Sequence, residues 1–197
     1  MIVHLNGWPG AGKKTIGEAL SMLLGARFIH NHLLHDVAIV CAGFGNDDRW
    51  ELYEIVRSAA YKVLARHPSS EIIVMTNALC NDSPREESAW KHVVELAITR
   101  NVPLVPVVLE ISADENVRRL QSPERVGKKM TDPAELTQWF GRYSIQRPGV
   151  PELIVVDVTD LSPEQAAHAV LARLNLLTPT LQPATLRHLR MMRQSEN

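Results

Sequence analysis

Residues 6–15, Asn-Gly-Trp-Pro-Gly-Ala-Gly-Lys-Lys-Thr, set three glycines, a lysine and a hydroxyl at spacings suited to gripping a chain of phosphates. A polyphosphate needs several donors converging on it with no side chain in the way. Glycines at 7, 10 and 12 let backbone N–H groups turn inward. The helix expected from Lys13 adds its unpaired N-terminal N–H groups and the positive end of its dipole. Lys13 can reach the β- and γ-phosphates and neutralise their charge. Lys14 occupies the place where a hydroxyl residue often stands, so Thr15 is the hydroxyl in reach.

Phosphate chemistry of this kind asks for further cations and for a proton acceptor. Arg118 and Arg119 precede a polar stretch, residues 121–133, that contains Arg125. On a helix the first two point about 100° apart, so one of them is expected at the site. In "FIHNHLLHD", His30, His32 and His35 lead to Asp36. An imidazole or a carboxylate there can take the proton of an acceptor hydroxyl, and Asp36 or His32 is the expected base. Magnesium prefers oxygen ligands and keeps several waters. Thr15 is its first expected ligand, with Asp82 or Asp36 as a carboxylate. An acceptor pocket is expected outside the carboxyl ends of the strands, from His32, Asn77, Asn81, Arg85 and the helix around Trp50. Arg142 and Arg147 are candidate anion contacts.

These side chains must be carried by strands and helices in alternation. Ile2–Asn6 reads as a short buried strand, 26–30 as a weak second one, and "EIIVMTN" (71–77), "VPLVPVVLEI" (102–111) and "ELIVVDV" (152–158) as three more. Helical spacing runs from Lys13 to Leu24 with Gly25 as its stop, and through 33–42. A longer helix starts at a cap on Asp47 or Asp48 and ends before Pro68. Ser83 and Pro84 open another helix to about Thr99. Ser112 caps "ADENVRRL", a helix spans about Ala134 to Ser144, and the last helix before the tail covers 162–174. The expected fold is α/β, a three-layer α/β/α sandwich on a five-stranded parallel sheet.

With 197 residues the chain is sized for one domain; 45% hydrophobic and 22% charged residues are ordinary globular composition, and a net charge of −1 gives no footprint for nucleic acid or an anionic membrane. The two cysteines, Cys41 and Cys80, have no metal spacing and imply no disulfide framework. No apolar run approaches the roughly 18 residues of a membrane span, and the N-terminus does not read as a signal peptide. A cytoplasmic protein, monomer or homodimer, is expected. Residues 1–177 are expected to form the domain. Residues 178–197, with "ATLRHLRMMRQ", form a tail that reads as a docked or frayed segment, or as a basic amphipathic helix for a partner.

The pattern Gly-x-Pro-Gly-x-Gly-Lys-x-Thr resembles the P-loop of adenylate kinase and its relatives, which tolerate a non-hydroxyl residue at the place of Lys14. No NKxD-type element of guanine-binding switch proteins is present, and the strand "IIVMT" runs into Asn77 instead of an acidic pair. The chain end "ELIVVDVTDLSPEQAAHAVL" is similar to the finish of the small P-loop kinases: nucleoside monophosphate, shikimate and gluconate kinases and chloramphenicol phosphotransferase. A group of bacterial kinase-like ATP-binding proteins resembles it more closely, through "NHL" at 31–33 and the "SPER…KMTDP" segment at 122–133. The resemblance covers about residues 1–176.

It implies that Gly7, Pro9, Gly10, Ala11, Gly12, Lys13, Lys14 and Thr15 bind the phosphates of ATP with Mg2+. It also implies that 121–133 is a short lid carrying Arg125, and that adenine rests between the arginine at the lid's start, Arg119, and the loop at Thr159–Asp160. Lys14 is then a solvated lysine or an extra phosphate contact. The family's aspartate after the second strand has no counterpart nearer the strand end than Asp36. The implied activity is transfer of the γ-phosphate to a hydroxyl of a small molecule. The alternatives are a nucleoside monophosphate kinase, an antibiotic-modifying phosphotransferase, or a nucleotide-binding regulator without transfer. For the first, 31–70 holds only Arg49, Arg57 and Arg66.

Overall fold

The computed structural model of the chain describes residues 1–81, 83–122, 133–178 and 181. Five strands, β1 (Ile2–Gly7), β2 (Arg27–His30), β3 (Ile73–Thr76), β4 (Leu104–Glu110) and β5 (Ile154–Asp157), form one sheet in the order β2-β3-β1-β4-β5. Every pairing is parallel. Among the described residues the helices are α1 (Lys13–Leu24), α2 (His32–Ala42), α3 (Asp48–Leu64), α4 (Pro84–Arg100), α5 (Ala113–Leu120), α6 (Pro133–Arg142) and α7 (Pro163–Leu177). No helix of the described residues is long and apolar enough to cross a membrane.

Strand alternation sorts the core into two layers. From β1, Val3 and Leu5 pack against Ile16 and Leu20 of α1 and Ala166, Val170 and Leu174 of α7. Ile2, on the opposite face, joins Tyr61 and Leu64 of α3 and Trp90, Val93 and Ala97 of α4. All six residues of β1 are buried, as a parallel strand covered on both faces requires. Because β2 and β3 lie on one side of β1 and β4 and β5 on the other, the strand order reverses at β1. The loop leaving β1 therefore opens at the crevice where such sheets bind ligands.

Most boundaries fall within a residue or two of those expected from sequence. Strand β4 begins at Leu104, so the segment from Val102 is longer than the strand, and Pro106 remains inside it. β5 begins to pair at Val107, so Pro106 lies where β4 has β1 alone as neighbour. Two expected caps are corrected. Ser83 precedes α4 and Asp47 precedes α3, but neither side chain caps its helix; the N–H of Asp48 instead donates to Asn46 Oδ1 at 3.0 Å. Ser112 does cap α5, and Ser162 with Gln165 forms a reciprocal capping box on α7.

Candidate active site

The loop from β1 to α1 has the backbone its glycines require. Gly10 and Gly12 adopt φ of 95° and 82°, in the left-handed region where a Cβ is strained. A Cβ at Gly10 would also run into Asn116 Nδ2. Ala11 N–H donates to Trp8 O at 3.1 Å, closing the turn. Helix α1 then starts with no side-chain cap and no acidic residue in its first turn, which leaves its positive end suited to an anion. Lys13 folds into the loop and donates from Nζ to Gly7 O at 2.6 Å and Trp8 O at 2.8 Å. Thr15 is exposed at the helix start, its hydroxyl on Gly12 O at 3.0 Å. Lys14 is exposed.

Of the paired arginines, Arg119 is the one brought to the loop. Its Nη1 lies 3.8 Å from the place a Cβ of Gly12 would take. Its Nη2 donates to Val158 O and Thr159 O at 2.8 and 2.9 Å, and its Nε to Glu115 Oε1 at 2.6 Å. Arg118 holds Glu115 through two 2.6 Å bonds and is otherwise solvated, its side chain 73% exposed. Hydrogen bonds from Arg118, and then from Arg119, pull the Glu115 carboxyl down to about 2. That carboxylate therefore stays charged and keeps Arg119 oriented. Thr159 stands where the adenine loop was expected, but its hydroxyl is already engaged. It accepts from Ser112 N at 2.9 Å and donates to Asp157 Oδ1 at 2.6 Å, bracing β4 and β5 against each other.

At the carboxyl end of β2, His32 and Asp36 come together on α2, Nδ1 to Oδ1 at 3.4 Å. Behind them runs a buried polar relay. His4 Nε2 meets Asn77 Oδ1 at 3.0 Å, Asn77 Nδ2 donates to Asn31 Oδ1 at 3.0 Å, and the Tyr53 hydroxyl donates to the same oxygen. Asn31 stands directly after β2. Burial, more than the nearby Lys13, pushes His4 down to about 4, so it is neutral at pH 7. His35 stacks on Trp50 and meets Tyr53 edge-on. Burial lowers its pKa, with Arg49 adding to the effect. Arg85 lies 3.8 Å over the Trp50 ring, so the expected pocket residues Arg85, Trp50 and His32 share one region.

Other expected contacts are committed elsewhere. Asn77 is buried within the relay, Asn81 pairs with Ser144 at 2.8 Å, Arg147 pairs with Glu110, and Arg142 lies over the Tyr143 ring. Arg125, Asp82, residues 123–132 of the expected lid and nearly all of the tail lie outside the described residues.

Two residues that sequence reasoning passed over hold the phosphate loop in place. Asn116 of α5, fully buried, donates to Pro9 O at 2.8 Å. Asn6, one residue before the loop, donates to Leu79 O and Gln146 O, both at 3.0 Å, and accepts from Leu79 N at 2.7 Å. The one available signal was an asparagine inside an otherwise apolar strand or helix face.

Neither a known family's profile nor any curated protein matches this sequence. Solved structures do match its fold. A gluconokinase from Sinorhizobium meliloti 1021 is 23% identical, over 90% of this chain and 95% of that one, with a TM-score of 0.57. A sugar kinase from Janibacter sp. HTCC2649 is 19% identical over 93% and 96%, with a TM-score of 0.60. Shikimate kinase from Aquifex aeolicus vf5 is 15% identical over 89% and 96%, with a TM-score of 0.52. The chain has the fold of the small P-loop kinases. At these identities the likeness is one of fold, and the acceptors in those names belong to those proteins.

Proposed function

We propose that this protein is an ATP-dependent phosphotransferase that moves the γ-phosphate of Mg-ATP to a hydroxyl of a small molecule. The observation that carries the reading is the convergence at the start of α1. The glycine loop, Lys13 within it and Arg119 beside Gly12 meet at a helix N-terminus that carries no acid.

Lys13 would exchange the carbonyls of Gly7 and Trp8 for phosphate oxygens, and Arg119 would lie along the nucleotide near Thr159. Magnesium, when bound, would neutralise charge between the β- and γ-oxygens, with the exposed hydroxyl of Thr15 as its protein ligand. The His32–Asp36 pair is the group suited to act on the acceptor hydroxyl. The fold shared with gluconate and shikimate kinases supports a small polar acceptor.

The test is ADP formation from Mg-ATP against a panel of sugars, polyols, sugar acids, nucleosides and nucleoside monophosphates, with Lys13→Ala as the blank. A rate stimulated by one acceptor class and abolished in Lys13→Ala is expected. A second reading, a nucleotide-binding regulator without transfer, is favoured by one feature. Asn31 follows β2, and its side-chain oxygen is held by Tyr53 and Asn77. ATP binding with slow hydrolysis that no acceptor stimulates would select that reading.

A further inference from the structure

One turn into α2, three side chains of metal-ligating type converge. His32, His35 and Asp36 stand at i, i+3 and i+4, on one helix face. One ligand atom from each lies within 4.8 Å of the other two. His35 is the fixed member. Its ring is stacked against Trp50 at 5.1 Å and edge-on to Tyr53 at 5.3 Å. Its Nε2 is buried with no hydrogen-bond partner. A buried polar atom left unsatisfied calls for an explanation, and one nitrogen of this ring lies within reach of a second imidazole and a carboxylate. Tyr53, which positions the His35 ring, is itself tied to Asn31 at the start of the helix. Such outer partners are what orient ligands at metal centres.

We propose that His32, His35 and Asp36 form a site for a divalent transition-metal ion of the zinc type. The three protein ligands leave the remaining coordination open to water or to an oxygen of a bound molecule. Two nitrogens and one carboxylate oxygen suit zinc or cobalt(II) and not magnesium, which takes oxygens. A tetrahedral ion at bond lengths near 2.1 Å sets its ligands roughly 3.5 Å apart. The present spread therefore closes by side-chain rotation in His32 and Asp36, both of which are solvent-accessible. Three protein ligands with an open position are the pattern of a catalytic metal centre, not a structural one. Arg49 and Arg85, both packed on Trp50, add positive charge nearby, which opposes a bare cation, is offset by the Asp36 carboxylate, and favours an anionic oxygen donor in the open position. A bound ion would take up His32 and Asp36 as ligands and would supply Lewis-acid polarisation of an acceptor oxygen, in place of the free His32–Asp36 pair of the proposed transfer.

The experiment is a titration of the chelator-treated full chain with Co2+ in the absence of nucleotide, followed by its visible d–d bands, with Zn2+ as competitor. One equivalent of Co2+ is expected, displaced by Zn2+, and weakened more than about tenfold in His32→Ala and Asp36→Asn. Cys41→Ser is expected to bind like the parent chain. Circular dichroism and melting of each variant check the fold, which two solvent-accessible positions on α2 should leave intact. No binding up to about 1 mM Co2+, or binding undiminished in both variants, overturns the proposal. Because no nucleotide is present, either result leaves the phosphotransfer reading to its own assay.

Discussion

Asn116 and Pro9 are 107 positions apart in the chain, yet the Asn116 amide reaches the Pro9 carbonyl at 2.8 Å and fixes the phosphate loop to α5. The same helix carries Arg119 to the loop, so two residues three apart on one helix serve one loop, the first as a brace and the second as a cation beside Gly12.

Asn116→Ala removes the donor and leaves the Pro9 carbonyl and a fully buried cavity behind. A loss of about 1–3 kcal/mol of stability is expected, together with a higher KM for ATP at a nearly unchanged KM for the acceptor. Urea unfolding and initial-rate kinetics check the two halves separately. Unchanged stability would mean that the brace contributes nothing.

Gly10→Ala should be far more harmful than Gly25→Ala, although both glycines have positive φ. At Gly25 a Cβ meets nothing within 4 Å, whereas at Gly10 it meets the Asn116 amide. The expected losses are about 1 kcal/mol at Gly25, from the left-handed backbone alone, and clearly more at Gly10, with nucleotide binding impaired only there. Melting temperatures and binding of a fluorescent ATP analogue make the comparison.

Arg119→Ala is expected to lower kcat/KM for ATP by about 100-fold or more, since it removes a cation from the site of phosphate charge. Arg118→Ala should stay within about threefold, because its side chain is mostly solvated and the Glu115 carboxylate keeps Arg119 as partner. Equal effects of the two would contradict the assignment of Arg119 to the loop.

His4 gives the pH dependence a sign. Its folded pKa of about 4 lies below the ordinary imidazole value, so between roughly 6.5 and 4 the unfolded chain binds a proton that the folded chain refuses. Stability therefore falls as pH drops through that window, by about 3 kcal/mol in all from this group, and the contribution levels off below it. His4→Gln should flatten the difference in urea midpoint between pH 7 and pH 5 relative to the parent chain. A parallel pH profile in the two proteins would show that His4 does not titrate in this way.

The parts legible in the sequence are those with local causes. The alternation of strands and helices, the glycine loop with Lys13 and Thr15, and the cluster of histidines leading to Asp36 after the second strand all follow from spacing over a few residues. What stayed hidden depends on contacts between distant segments. No spacing rule joins Asn6 to Gln146, 140 positions away, or His4 to Asn77, because the partner is set by sheet order. Likewise, helical geometry allowed only one of Arg118 and Arg119 at the site, and the resemblance pointed to Arg119; the bonds that hold it there, to the carbonyls of Val158 and Thr159, come from a segment with no local tie to α5. Asn77 and Asn81 read as acceptor-pocket residues, yet Asn77 is buried in bonds to His4 and Asn31, and the Asn81 amide nitrogen donates to Ser144 Oγ.

Asn6 carries a consequence of its own. Both halves of its amide are spent, on Leu79 and on Gln146, one position before the phosphate loop begins. The glycine loop, the turn after β3 and the segment that follows α6 thereby meet at one buried side chain. Backbone bonds from Asn81 to Ser144 and from Gln146 to Leu79 join the last two as well, so the three regions form a common frame of reference for whatever binds among them. A replacement at Asn6 would shift the spacing of all three together, and damage seen at either end of the crevice could not be traced to that end.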